Sequence, residues 1–170
     1  ISSPANATLS GNGVGTISIT DNDGLNGGTT ATYNASNAAT ELATSEFQYH
    51  NNGASTVSPF EEINAHKAHG YGFTGAGKTV AVIDSDFSTD HQEFDNKSIT
   101  GYGYYYVAGV SGYHGAHVTG IIAAENDGSG MVGVAPGASL YIADYTGPNG
   151  LGFHPDHWAA ATTGAYNANA

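Results

Sequence analysis

Residues able to exchange a proton stand where a predicted strand ends and a predicted helix begins. The apolar segment 79–83 predicts a buried strand that ends on Asp84, and a glycine-rich segment predicts a helix over about 115–125 with His114 at its start. In open α/β sheets, functional residues gather at the carboxyl ends of strands and the amino ends of helices. An Asp that orients a His, which takes the proton of a serine hydroxyl, performs the chemistry of a serine hydrolase. No serine of this chain has suitable surroundings, so the sequence supplies an acid and a base without a nucleophile.

Both residues lie in longer motifs. Asp84 stands in Val-Ile-Asp-Ser with His91 seven residues later, and His114 begins His-Gly-x-His-Val-x-Gly, which Gly-Val-Ala-Pro follows at 133–136. Over roughly residues 61–170 these motifs resemble the subtilisin-like serine proteases, the subtilase or peptidase S8 family. The resemblance implies a serine endopeptidase in which Asp84 holds the ring of His114, and His114 acts as general base and then as general acid.

Two positions depart from the family pattern, which usually has Gly where Asp86 stands and Thr where Ala116 stands. Asp86 places a second negative charge beside Asp84, and like charges repel at short range. Two alternatives to an active protease therefore stay open. One is an adhesion or binding protein that carries an inactive protease-like domain. The other is an Mg²⁺-dependent phosphatase that uses Asp84 and Asp86, because this strand end also resembles the nucleophile motif of haloacid-dehalogenase-like phosphatases.

Further site residues follow from the resemblance to subtilases. The loop 126–130 resembles the loop that supplies calcium ligands in many of these proteases, and Glu93 matches the position of an acidic partner ligand. We expect Glu93 and Asp127 to be the candidate ligands of a structural calcium ion, with a solvated turn as the alternative. No organic cofactor is implied. The backbone that would pair with a peptide substrate, or else form a simple loop, belongs to Gly150, Leu151 and Gly152.

Composition narrows the choice of partners. The 170 residues carry a formal net charge of −12 with three Lys and no Arg, which argues against binding of nucleic acid through phosphates. The chain has no cysteine and therefore no disulfide, and no stretch is apolar enough to span a membrane. The resemblance implies a polypeptide substrate and a bacterial protein that is secreted or held at the cell surface.

The chain divides into three parts. Residues 1–24 contain an alternating β-branched segment that resembles the last strand of an extracellular Calx-β-type repeat, with partner strands upstream; a disordered leader is the alternative. Residues 25–60 have few large apolar side chains and predict a flexible linker. Residues 61–170 predict the amino-terminal part of a subtilisin-like domain, truncated before the serine. We therefore expect these 170 residues alone to lack peptidase activity.

Within 61–170, helices alternate with apolar strands, which predicts an α/β fold with a mostly parallel sheet and helices on both faces. His117 lies three residues after His114, a spacing at which two histidines can share a helix face as zinc ligands. Because no third ligand stands at a matching spacing, we interpret His117 as a buried, hydrogen-bonded ring. The predicted elements are a helix at 61–70, strands at 79–83, 104–107 and 139–143, and helices at 115–125 and 155–166.

Overall fold

The chain forms two compact units, Ile1–Phe73 and Thr74–Ala170. A computed structural model describes residues 16–19, 29–49, 57–102, 113–145 and 155–170. The boundary between the units falls after Phe73, whereas the sequence predicts a second domain that begins at residue 61. The two helices between these points pack with each other, and the second of them packs on a helix of the first unit.

The first unit begins with two short antiparallel strands, β1 (Thr16–Ile19) and β2 (Thr29–Thr32). The sequence predicts that the partners of the first strand lie upstream, but its partner in the structure lies downstream, at β2. Helix α1 (Ala35–Leu42) follows, and the side chain of Asn34 caps it by accepting a hydrogen bond from the backbone N–H of Asn37 at 2.9 Å.

Part of the predicted linker 25–60 is packed rather than extended. Phe47 is fully buried, with its ring 6.1 Å from that of Phe60 and 5.7 Å from that of His66, both edge-on. The hydroxyl of Ser58, which is also fully buried, donates to the carbonyl of Phe47 at 3.2 Å. The partners of Phe47 stand 13 and 19 residues later in the chain, so the composition of the segment around it does not show its burial.

The predicted helix 61–70 is divided in two. Helix α2 (Pro59–Glu62) begins after the capping side chain of Ser58 with proline in its first turn, a position that proline tolerates. Helix α3 (Ala65–Gly70) begins after Asn64, whose φ of 58° lies in the left-handed region and interrupts the helix. Asn adopts this conformation more readily than most residues.

The second unit contains a parallel sheet of three strands among its described residues. Strand β5 (Ser139–Asp144) lies between β3 (Thr79–Asp84) and β4 (Ile99–Tyr102), and it is parallel to both. Strand β4 ends just before the predicted strand 104–107, which lies outside the described residues. The predicted helices are observed as α4 (His114–Ala123) and α5 (Pro155–Asn167).

Alternate residues of the strands face two different apolar layers. One layer combines strand and loop residues with the apolar face of α4: Val80, Val82, Phe87, Phe94, Ile99, Val118, Ile122, Ala123, Leu140 and Ile142. The other layer is lined by small side chains of α5 and the opposite sheet face: Ala81, Ile83, Tyr141, Ala143, Ala161, Ala165 and Ala168. Because helices cover both faces of a parallel sheet, the predicted α/β class is confirmed.

In the first unit, His66 provides a test of how the core responds to acid. Its residue is 6% exposed, and its Nδ1 has no hydrogen-bond partner. Burial, followed by the charge of Lys67, lowers the pKa of His66 from 6.5, although Glu61 and Glu41 act in the opposite direction and His69 in the same one. Below about pH 6.5, the folded state therefore binds fewer protons at His66 than the unfolded state does.

We predict that the first unit keeps its full stability above about pH 6.5 and loses part of it as the pH falls through the folded pKa. Hydrogen exchange of amides in residues 57–73, followed down to about pH 5, measures this loss. His66→Phe, which removes the titrating ring from its aromatic neighbours, should flatten the profile. His117→Gln, at an exposed histidine of the other unit, is the matched control. An unchanged slope in His66→Phe would contradict the prediction.

Candidate active site

Asp84 is the last residue of β3, and His114 is the first residue of α4. Nδ1 of His114 lies 2.8 Å from Oδ1 of Asp84. A carboxylate only accepts, so the hydrogen bond places the proton on Nδ1 and leaves Nε2 as the free acceptor of a neutral ring. The carboxylate side chain is 16% exposed and the imidazole 67% exposed, so one end of the pair is held in the protein and the other is open to solvent.

Backbone hydrogen bonds join the loop after β3 to the start of α4. The backbone N–H of Ser85 donates to Oδ1 of Asp84 at 2.7 Å. The N–H groups of Gly115 and Ala116 donate to the carbonyl oxygens of Ser85 and Asp86, at 2.7 and 3.3 Å. The first N–H groups of a helix have no partner within the helix. Here they bind the loop that carries the carboxylate, which fixes the strand end against the helix start.

This close approach explains the glycine that follows His114. A Cβ atom at Gly115 would lie 2.4 Å from the carbonyl oxygen of Ser85 and 3.0 Å from the ring of Phe87, which is itself buried. Any larger side chain would push the helix away from the loop. The His-Gly pair in the sequence therefore reflects packing at the site as well as chemistry.

Asp86 adopts a backbone conformation that favours glycine, with a φ of 57°. Glycine, which the resemblance stated above implies at this position, adopts the same conformation without steric cost. Asp tolerates the left-handed region better than most residues do. Its Oδ2 accepts a hydrogen bond from the hydroxyl of Ser85 at 3.2 Å. Asp86 thus keeps the loop geometry while adding a carboxylate two residues from Asp84.

The two residues expected to bind calcium lie apart from the Asp–His pair, in and under the loop after α4. Glu93 is 5% exposed, and its Oε1 accepts the backbone N–H of Met131 at 3.1 Å. Asp127 is exposed and accepts the backbone N–H of Ser129 at 3.0 Å. Burial raises the pKa of Glu93, the hydrogen bond from Met131 opposes this, and the charge of Asp127 raises it further.

The loop after α4 has room for this carboxylate only because Gly130 has no side chain. The φ of Gly130 is 63°, and a Cβ atom there would lie 1.7 Å from Oε1 of Glu93. Carboxylates such as those of Glu93 in the 3₁₀ turn Gln92–Phe94 and Asp127 in the loop, together with backbone carbonyls, are the donors that calcium prefers. The residues therefore fit a hard cation, although the described residues contain no group of three or more acidic, His or Cys side chains placed to bind a metal.

Other predicted site residues have different outcomes. His117 was expected to be a buried ring, but it is exposed on α4, so that interpretation is wrong. The residues around His117 in the sequence are typical of a buried position. Only the packing of α4 shows which side of this helix faces solvent. The substrate-binding segment formed by Gly150, Leu151 and Gly152 lies outside the described residues.

A polar cavity of about 730 Å³ at the amino ends of the strands was missed by the sequence analysis. In its wall, the ammonium of Lys97 donates to the backbone carbonyls of Pro136 and Ala138, and burial lowers the pKa of this lysine. The carboxylate of Glu125 accepts from the backbone and side chain of Asn96, at 2.6 and 2.8 Å. No local motif predicts these contacts, because the two partners of each contact stand about 30 to 40 residues apart in the chain.

A parallel sheet with an Asp–His pair at its carboxyl edge defines a class of α/β hydrolytic sites, and the comparisons with known proteins specify the family. The model of the subtilase family, Peptidase_S8, matches residues 75–163, a little over half of the chain. The chain therefore belongs to the subtilase family.

Individual relatives cover parts of the chain. The minor extracellular protease Epr of Bacillus subtilis (strain 168) is 36% identical over 123 residues, which are 66% of this chain and 18% of Epr. Subtilisin BL of Lederbergia lenta is 39% identical over 95 residues, 53% of this chain and 34% of that protein. The chain thus spans about a fifth to a third of the length of these relatives.

Among solved structures, the psychrophilic subtilisin-like protease Apa1 of the Antarctic psychrotroph Pseudoalteromonas sp. AS-11 is similar with 30% sequence identity. The similarity covers 57% of this chain and 24% of that chain, with a TM-score of 0.48. In the part of this chain that the structure describes, no helix is both long and apolar enough to cross a membrane.

Two glycines of α4 should respond oppositely to the same substitution. Gly115→Ala places a methyl group against the carbonyl of Ser85 and should lower stability by about 1–3 kcal/mol. At Gly120 the nearest atoms to a new Cβ belong to Met131 at 3.5 Å, an ordinary contact. Gly120→Ala should therefore raise stability by about 0.5–1 kcal/mol, since alanine favours a helix interior. Calorimetry of the full-length variants measures both shifts, and equal shifts would contradict the proposed loop–helix contact.

Proposed function

We propose that this chain supplies the acid and the base of a subtilisin-like serine endopeptidase whose nucleophilic serine lies outside the 170 residues. The observation that carries the proposal is the 2.8 Å hydrogen bond between His114 Nδ1 and Asp84 Oδ1, on an imidazole that is 67% exposed. Such a ring is oriented at one nitrogen and accessible at the other. Membership of the subtilase family supports the same chemistry.

In this mechanism Nε2 of His114 takes the proton from the serine hydroxyl as its oxygen attacks the scissile carbonyl carbon. The imidazolium that forms is stabilised by Asp84, which stays ionised. The ring then gives the proton to the leaving amine as the C–N bond breaks and the acyl-enzyme forms. Water, deprotonated by the same ring, hydrolyses the acyl-enzyme and regenerates the serine.

We also propose which residues bind the peptide substrate and where the protein is located. Gly150, Leu151 and Gly152 would pair with the peptide backbone as an added strand, which binds peptides without regard to most side chains. The name of the relative Epr describes an extracellular protease, which supports a secreted or surface-held protein here. Adjacent extracellular β-repeats before residue 25 stay part of the same proposal.

Two other functions can be separated from this one by experiment. An adhesion protein with an inactive protease-like domain would fail to react with a fluorophosphonate, which labels only an activated serine. A phosphatase would turn over a phosphomonoester with Mg²⁺ and lose this activity in Asp84→Asn. For that role the carboxylate of Asp84 would have to be free to attack, whereas its Oδ1 contacts both the Ser85 N–H and the ring of His114.

Removal of the base should nearly abolish peptide hydrolysis in the full-length protein. His114→Ala should lower kcat by about 10⁶-fold, a magnitude taken from the corresponding change in subtilisin rather than worked out for this chain. His117→Ala, at an exposed histidine of the same helix, is the control and should keep activity close to wild type. Single-turnover kinetics on an internally quenched peptide measure both. A loss of less than tenfold in His114→Ala would remove this ring from the mechanism.

We further propose that Glu93 and Asp127 hold a structural calcium ion, with backbone carbonyls of the loop 126–131 among its other ligands. When bound, the ion would supply positive charge to a buried carboxylate whose pKa burial raises, an effect that the hydrogen bonds from Met131 and Gln92 and the charge of His91 oppose. The raised pKa of Glu93 determines how stability depends on pH when no calcium is bound. Its contribution to stability is present below pH 4.5 and is lost as the pH rises through the folded pKa.

Calcium should therefore invert the order of stability of wild type and Glu93→Gln at neutral pH. In chelator, Glu93→Gln should unfold at the higher temperature, because its amide oxygen can still accept from Met131 and no charge is buried. With calcium about 100-fold above its Kd, wild type should gain about 2.7 kcal/mol that the variant lacks. Asp95→Asn, an exposed carboxylate nearby, is the control. Equal calcium shifts in all three proteins would contradict the site.

A further inference from the structure

In the described part of the second unit, neither lysine nor arginine lies at the sheet edge that carries the Asp–His pair. The three lysines of the whole chain are Lys67, Lys78 and Lys97, and the sequence has no arginine. Lys67 belongs to the first unit, whereas Lys78 and Lys97 come just before β3 and β4, at the amino ends of strands. The carboxyl ends, where the pair lies, are the opposite edge of a parallel sheet.

At that carboxyl edge, the carboxylate of Asp86 has no partner of opposite charge among the residues that the structure describes. Its contact is the neutral hydroxyl of Ser85 at 3.2 Å. Residues 98–170 contain no lysine or arginine, so no segment of this chain that follows β3 at this edge brings one. An ionised carboxylate with a neutral hydrogen-bond donor keeps most of its negative potential.

The position of Asp86 is fixed relative to the reacting groups. Its carbonyl accepts from the N–H of Ala116, two residues after His114, and it follows Asp84 by two residues. The left-handed backbone, with a φ of 57°, is one that glycine adopts at no cost, yet the chain has a charged residue there. Asp86 is half-buried, and charges near the protein interior are screened less by solvent than fully exposed ones.

We propose that Asp86 is a specificity-determining residue that makes this site select peptides with lysine or arginine beside the scissile bond. The proposal rests on the endopeptidase function proposed above. A substrate ammonium or guanidinium would give Asp86 the cation that the chain does not, and an electronegative edge would also speed the arrival of cationic polypeptides. A neutral side chain would gain neither effect.

The test uses the full-length protein and internally quenched peptides that differ only in lysine or norleucine, placed in turn at the residues flanking the scissile bond. The measured quantity is the selectivity, the ratio of kcat/KM for lysine over norleucine. In wild type we expect a selectivity of about three- to tenfold at one position, falling as salt rises to about 0.5 M. Asp86→Asn and Asp86→Gly, which both tolerate the left-handed backbone, should reduce it to about one.

A matched control removes the same charge elsewhere. Asp95→Asn, at an exposed residue after the 3₁₀ turn Gln92–Phe94, should keep the wild-type selectivity. If Asp86 had only a structural role, its variants would lower kcat/KM for both peptides equally, and this result would overturn the inference. A wild-type selectivity of one would also overturn it while leaving the endopeptidase proposal intact. Failure to cleave any peptide, together with no labelling by a fluorophosphonate, would instead reject the endopeptidase proposal itself.

Discussion

The geometry of the candidate site depends on hydrogen bonds between the start of α4 and the loop after β3. Gly115 and Ala116 donate their backbone N–H groups to the carbonyls of Ser85 and Asp86. These donors would otherwise be unpaired at a helix start, so the contact satisfies the helix and positions the Asp–His pair together. A glycine is required at the point of closest approach, because a Cβ atom there would overlap the carbonyl of Ser85.

The packing of the sheet keeps this contact in place. Alternation along the strands puts branched side chains such as Val82 and Ile142 under α4, where Phe87 from the site loop joins the same layer. The loop is therefore anchored from below by its own aromatic ring and from the side by the helix. The opposite face accepts α5 through small residues such as Ala161 and Ala165, which let the helix approach closely.

In the second unit, the charged residues at the amino ends of the strands have different surroundings from those at the carboxyl ends. At the amino ends, the ammonium of Lys97 binds backbone carbonyls and is partly desolvated, while Glu125 is held by Asn96. At the carboxyl ends, Asp84 contacts an exposed imidazole, and Asp86 follows in the same loop. Lys97 and Glu125 at the first edge are bound by groups of the protein, whereas one side of the imidazole at the second edge is open to solvent.

The sequence by itself determined the motifs, both helices and two of the three described strands of the second unit, because periodicity, helix starts and strand ends are local properties; strand β4 was not predicted. The strands ending on Asp84 and Asp144 and the helices beginning at His114 and Pro155 lie within a few residues of their predicted positions. Tertiary structure alone decided the central place of β5, the burial of Phe47 in a segment expected to be a linker, the exposure of His117, and the left-handed conformation of Asp86. Each of these depends on partners distant in the chain, and the free energy that distant partners contribute has no signature in the local pattern of residues.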